Sequence, residues 1–129
     1  MKTIEQEMKG KTAVVTGGNT GIGYGCAEAF VTAGMNVVIA ARREALGREA
    51  AARLTAQGAG ECVFFRCDVS DPEQVRALVA FAVKKYGRLD TMVNNAGYVP
   101  AHLDACDMSI ESYQDVLKCN LMGEFYGCK

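Results

Sequence analysis

Short apolar, β-branched runs alternate along the chain with stretches whose apolar residues recur at helical spacing. Thr12-Ala13-Val14-Val15-Thr16 is the first such run and predicts a buried strand. It breaks at Gly17-Gly18-Asn19-Thr20-Gly21-Ile22-Gly23. Ile22, Cys26, Phe30 and Ala33 then recur at helical spacing, and Gly34 stops the helix. Asn36 to Ala41 predicts a second strand. Glu44 to Gln57 predicts an alanine-rich helix with Leu46, Ala50 and Leu54 on one face and Gly58 behind it. Glu61 to Arg66 is a third strand. Ser70-Asp71-Pro72-Glu73-Gln74 carries a helix start: a serine or aspartate cap, proline in the first turn and an acid or amide to reach back. Val75, Leu78, Val79, Ala82, Val83 and Tyr86 supply its stripe, and Gly87 ends it. Leu89 to Asn94 is a fourth strand, and a loop runs from Asn95 to Met108. Ser109-Ile110-Glu111-Ser112 opens a last helix carrying Ile110, Tyr113, Leu117 and Leu121.

Strands joined by helices run parallel, because each crossover returns the chain to the same end of the sheet. Right-handed crossovers then give a doubly wound parallel sheet with helices on both faces, an α/β fold. No internal repeat or low-complexity tract interrupts the pattern.

Composition narrows the function. The 129 residues suffice for one domain and are too few for two. Half of them are hydrophobic and 22% are charged, which suits a folded globule that buries roughly two thirds of its unfolded surface. Fourteen basic against fifteen acidic residues give a net charge of -1. That balance argues against nucleic acid or an anionic membrane as partner. No apolar run has the length of a membrane span, and the charged start from Met1 to Glu7 is unlike a signal peptide. The expectation is a soluble, cytoplasmic protein. The six cysteines contain no Cys-x-x-Cys, and the single histidine, His102, has no ligand-like spacing to them. Free thiols and no metal are expected. Cys62 and Cys67 are five apart and would point to opposite faces of a strand. His102 reads as an exposed loop residue, and Met92 and Met122 read as core filler.

The glycine turn lies between a strand and a helix, the context in which such a motif has a mechanism. Its residues must tolerate positive φ, let a pyrophosphate approach the backbone, and pack the helix close to the strand. Unpaired N–H groups at the helix start then face the phosphates. Together with Cys67-Asp68-Val69-Ser70, Asn94-Asn95-Ala96-Gly97 and Asn120-Leu121-Met122-Gly123, the segment Thr16 to Gly23 resembles the short-chain dehydrogenase/reductase family of NAD(P)-dependent oxidoreductases. The resemblance runs from about Gly10 to the last residue. It implies a Rossmann-type NAD(P)-binding domain over residues 1–129, with strand order 3-2-1-4. By that resemblance Gly17, Asn19, Thr20, Gly21 and Gly23 form the cofactor turn, with Ile22 beside the nicotinamide half. Asp68 accepts from the adenine amino group and Val69 packs on the ring. Asn95, Ala96 and Gly97 approach the nicotinamide ribose, Asn94 helps hold the central strands together, and Asn120 is a structural and catalytic asparagine.

Cofactor choice is carried by the end of the second strand, where an acid would bind ribose hydroxyls and an arginine a 2′-phosphate. Arg42 and Arg43 stand there, with no acid before Glu44. NADP is expected over NAD, although Thr20 occupies the place inside the turn where many NADP-preferring relatives carry a base.

The family's chemistry also uses a serine and a Tyr-x-x-x-Lys pair, which lie beyond the segment matched here. Tyr24, Tyr86, Tyr98 and Tyr113 have no lysine four residues on, and Tyr126 and Lys129 share a helix with Asn120. The expectation is therefore the cofactor half of an NADP-dependent alcohol/carbonyl oxidoreductase, incomplete and without turnover alone. A stand-alone dinucleotide-binding pseudoenzyme, or a truncated fragment pairing with a full-length relative, are the other readings. The open edge around Thr91-Met92-Val93 and the last helix predict a homo-oligomeric or marginally stable chain.

Overall fold

A computed structural model describes residues 1–101 and 104–129, without the side chain of Glu5. The histidine at 102 lies outside the described residues. The strands are β1 (Thr12–Thr16), β2 (Asn36–Ala41), β3 (Cys62–Arg66) and β4 (Thr91–Val93). All pair in parallel, in the order β3-β2-β1-β4, so the central strand β1 is followed outward by β4 on one side and β2 on the other. The helices are α1 (Ile4–Met8), α2 (Gly21–Thr32), α3 (Glu44–Gln57), α4 (Pro72–Tyr86), α5 (Ile110–Leu117) and α6 (Gly123–Cys128). This is the doubly wound Rossmann-type α/β sheet that the alternating pattern predicts.

Strand alternation sorts the core into two layers. Ala13, Val15, Val37 and Ile39 face one way and pack with Ala27, Val31, Ala50 and Leu54 from α2 and α3. Val14, Val38 and Ala40 face the other way, onto Val75, Leu78 and Ala82 of α4. Cys62 joins the first layer and Cys67 the second, so the two thiols do lie on opposite faces. Helix α4 begins as its sequence predicts: the Asp71 carboxylate accepts from the Glu73 N–H at 2.9 Å, ahead of Pro72. Gly87 closes it at φ 77°, with its N–H donating to the Val83 carbonyl at 2.7 Å.

Several elements differ from expectation. Helix α1 was not expected at all. Strand β4 is limited to three residues rather than spanning 89–94. The buried stripe of α2 is Gly23, Ala27 and Val31, and Ile22 is 81% exposed. The buried face of α3 is Gly47, Ala50, Ala51 and Leu54, which leaves Leu46 outside. In both helices small residues take the inner face because they let helix and sheet approach closely. A Cβ on Gly47 would overlap the Phe64 ring. Val83 and Met122 are exposed rather than core, while Met92 packs on the second layer. The last helix is not continuous: Lys118–Met122 forms a π-helical segment between α5 and α6. Ile110, Tyr113 and Leu121 of its expected stripe stand exposed.

All six cysteines are free thiols. Burial pushes the Cys62 thiol up to about 12 and the Cys67 thiol up to about 11, from 9.0. Because folding raises both, their contribution is fully present below pH 9 and fades as pH climbs toward the folded values. Stability to urea is expected to fall above pH 9, and at pH 8 a thiol reagent should label exposed Cys106 and Cys128 well before Cys62 and Cys67. Leu78→Ala is expected to cost about 2–5 kcal/mol in urea unfolding, since Leu78 is fully buried between α4 and the sheet.

Candidate functional site

A cleft of about 500 Å³ opens at the carboxyl ends of the strands. This is where a parallel sheet leaves a crevice for ligands. Its floor is tied by one hydroxyl. Thr16 Oγ1 accepts from the N–H groups of Asn95 and Ala96, each at 3.0 Å, and donates to the Val93 carbonyl at 3.3 Å. The Asn95 amide returns the contact, donating to the Thr16 carbonyl at 3.0 Å. The Gly17 N–H donates to the Ala40 carbonyl at 2.7 Å. The ends of β1, β2 and β4 are thus stitched together beneath the cleft.

The turn above this floor needs its glycines. Gly17 and Gly21 adopt φ of 65° and 56°, the left-handed region that side chains disfavour. A Cβ on Gly23 would strike the Gly17 carbonyl, so the helix start packs against the turn itself. Thr20 is the N-cap of α2 but makes no side-chain capping bond. The first N–H groups of the helix therefore receive no side-chain cap from Thr20. Asn19 is 7% exposed, and its buried amide nitrogen has no partner among the described residues.

Ten of the residues proposed for the site line this cleft. Gly17, Asn19 and Thr20 supply the turn, Arg42 and Arg43 the end of β2, Asp68 and Val69 the segment after β3, and Asn95, Ala96 and Gly97 the segment after β4. Glu44, the nearest acid after the arginines, is held by Arg48 at 2.7 Å. Asp68 Oδ1 accepts from the Ser70 N–H at 3.0 Å and hydroxyl at 2.7 Å. Burial pushes the Asp68 carboxyl up, but the Ser70 bonds and the Arg42 charge outweigh it and hold the group below 3.8. The Gln74 amide oxygen reaches back to accept from the Asp68 N–H at 2.9 Å.

Four proposed residues stand apart from the lining: Gly21, Ile22, Gly23 and Asn120. The first three belong to the start of α2 behind the turn. Asn120 sits in the π-helical segment, where its amide clamps the Tyr98 main chain. It accepts from the Tyr98 N–H at 2.9 Å and donates to the Tyr98 carbonyl at 2.8 Å. That clamp holds the segment after β4 against the last helix. Asn94 does not bridge the central strands. Its amide nitrogen lies 3.5 Å from Cys128 Sγ, and its buried Oδ1 has no partner among the described residues. Thr16 and Asn95 make the strand link instead. Tyr126 lies outside the lining and packs on the second core layer.

Sequence reasoning missed Ala40, Ala41, Cys67 and Cys119 as lining residues. The first three end or follow strands, a signal available from the run boundaries. Cys119 is brought in by the last helix and had no such signal. Among the described residues no group of acids, cysteines or histidine could hold a metal, and no helix is long and apolar enough to cross a membrane.

A family model for the short chain dehydrogenases matches residues 11–129. The chain belongs to that family. L-fucose dehydrogenase of Bos taurus is 41% identical over 116 residues, covering 90% of this chain and 41% of that protein. Glucose 1-dehydrogenase 2 of Bacillus subtilis is 37% identical over 124 residues, covering 96% of this chain and 48% of its own. A 2,5-dichloro-2,5-cyclohexadiene-1,4-diol dehydrogenase of Sphingobium indicum is 36% identical over 119 residues, covering 92% and 46%. The chain spans less than half the length of these curated relatives. Members of the family use a nicotinamide dinucleotide, NAD or NADP, and the glycine cradle and the unpartnered Asn19 amide fit such a group.

Thr16→Val is expected to lower stability by about 1–3 kcal/mol in urea unfolding, because it strips two backbone N–H groups of their acceptor. Asp68 should titrate below 3.8 by carboxyl-carbon NMR, and Ser70→Ala should raise it. Its folded value lies below the unfolded one, so its stabilisation is present at neutral pH and is lost as pH falls through the folded value.

Proposed function

We propose that this chain is the cofactor-binding half of an NADP-dependent oxidoreductase that interconverts an alcohol and a carbonyl. The observation that carries the NADP reading is the pair Arg42 and Arg43 at the cleft, with the next acid turned to Arg48. A guanidinium fork matches a phosphate, and no carboxylate is free at the strand end to take the ribose hydroxyls. When bound, the nicotinamide gives or accepts the hydride. The residues here bind and orient: the turn from Gly17 to Gly23 takes the pyrophosphate, Asp68 and Val69 the adenine, and Asn95 to Gly97 the nicotinamide ribose. Asn120 acts as a positioning residue through the Tyr98 main chain. The proton step belongs to a serine and a Tyr-x-x-x-Lys pair outside these residues, so the 129-residue chain alone binds without turnover.

A titration followed by nicotinamide fluorescence tests the reading. NADPH should bind several-fold tighter than NADH. Arg42→Ala should weaken NADPH by about tenfold or more, as expected for losing charge-assisted bonds, with a smaller effect on NADH. Equal affinities would remove the NADP assignment, and binding of neither would remove the cofactor reading. NADPH oxidation by the pure chain that is lost in Tyr126→Phe would overturn the prediction of no turnover.

A second reading, pairing with another copy, is supported by the exposed apolar side chains of the last helix. Tyr113 and Leu121 lie four residues either side of Leu117, with Ile110 and Phe125 beyond them. Such a pattern can meet itself across a two-fold axis. Light scattering is expected to give a dimer or larger, and a monodisperse monomer with a cooperative melt would remove this reading.

A further inference from the structure

The chain has seven arginines. Arg48, Arg53, Arg76 and Arg88 each pair with a carboxylate on their own or a neighbouring turn. The remaining three, Arg42, Arg43 and Arg66, form no ion pair among the described residues, and all three stand at the same end of the sheet. Arg42 and Arg43 line the cleft, whereas Arg66 does not.

Arg66 is the last residue of β3 and lies opposite Ala41 in the parallel ladder. The following bond, from the Cys67 N–H to the Ala41 carbonyl at 3.0 Å, fixes the two strand ends beside it. From there the Arg66 side chain crosses to β2, and its Nε donates to the Arg42 carbonyl oxygen at 3.4 Å. That carbonyl belongs to the two-residue connection between β2 and α3, whose second residue, Arg43, is the N-cap and makes no side-chain capping bond. Within this connection, Arg66 supplies a side-chain tie to the main chain. Asp68, the one carboxylate lining the cleft among the described residues, is engaged by Ser70 and forms no ion pair with these guanidinium groups. Three positive charges thus face at most one negative one, and a bound anion would relieve their mutual repulsion.

We propose that Arg66 is a specificity-determining positioning residue for a 2′-phosphate: it holds the Arg42 main chain in place from outside the cleft and adds a third unpaired positive charge at its rim. The proposal rests on the NADP reading above.

The test compares the unmodified chain with Arg66→Met, Arg66→Lys, Arg42→Met and the Arg42→Met/Arg66→Met double variant. Each is titrated with NADPH and NADH across a range of salt. Arg66→Met is expected to lower the NADPH-to-NADH affinity ratio about fivefold and to flatten the salt dependence of NADPH binding. In the Arg42→Met background the same change should move the ratio by less than about twofold, the coupling expected of a residue that acts through its neighbour. Arg66→Lys keeps the charge without the Nε donor, and it should retain the salt dependence while recovering only part of the ratio.

An unchanged ratio in Arg66→Met overturns the proposal. So does an equal loss for both nucleotides, which marks a purely structural role. Additive effects of the two substitutions, or full recovery in Arg66→Lys, overturn the action through Arg42. If the unmodified chain shows no preference for NADPH, the NADP reading itself fails and takes this proposal with it. A clear preference that Arg66→Met leaves intact sinks only the role of Arg66.

Discussion

Everything at the top of the sheet depends on the Thr16 hydroxyl. A parallel sheet ends in loose carboxyl termini, and each loop that follows has its own N–H and C=O groups to satisfy. Thr16 resolves this for two loops at once, serving the segment after β4 while its own backbone begins the glycine turn. Because Asn95 answers with its side chain, the contact is reciprocal, and the turn and the Asn95-Ala96-Gly97 segment hold one another at a fixed separation. The cleft is the space that this separation leaves.

Small residues then decide how near each helix may come. Gly23 and Ala27 let α2 settle against the turn and sheet, and Gly47 does the same for α3 beside Phe64. Close packing at these points brings the turn against the helix start, with Gly17, Asn19 and Thr20 lining the cleft. The cost is borne by the conformational freedom that glycine loses on folding.

Much of this could be read from the residues alone. The runs at 12–16 and 36–41, and the helix from 44 to 57, were fixed by β-branching and by glycine punctuation, and the structure keeps those boundaries. The glycine turn and Arg42 and Arg43 were legible because each follows a strand, and strand ends converge in a parallel sheet, whereas Asp68 and the Asn95 segment were marked only by the family resemblance. The phase of α2 and α3 was not legible. A hydrophobicity pattern gives weight to Ile22 and Leu46, while close approach selects Gly23 and Gly47, which carry no hydrophobic signal. Asn94 misled for a related reason: its place in the motif says nothing about which neighbour its amide will meet. Cys119 and the Asn120 clamp depended on a change of helical winding that no local propensity announces.

That change of winding has a consequence for the chain as a lineage of insertions and deletions. A π-helical turn holds one more residue than the α-helical turn it replaces. Removing one residue between Lys118 and Met122 would restore regular winding and turn everything after it by about 100° around the helix axis. Gly123, which now lies against Val69, and Gly127, which lies against Asn94, would both swing away, and bulkier neighbours would take their places. The extra residue therefore works as a phase setting between two surfaces: it lets Asn120 reach Tyr98 while the final turn still fits against α4 and the strand-end segments at Val69 and Asn94. A one-residue change of length here would cost the fit of the whole final turn, which a substitution on its outer face would leave in place.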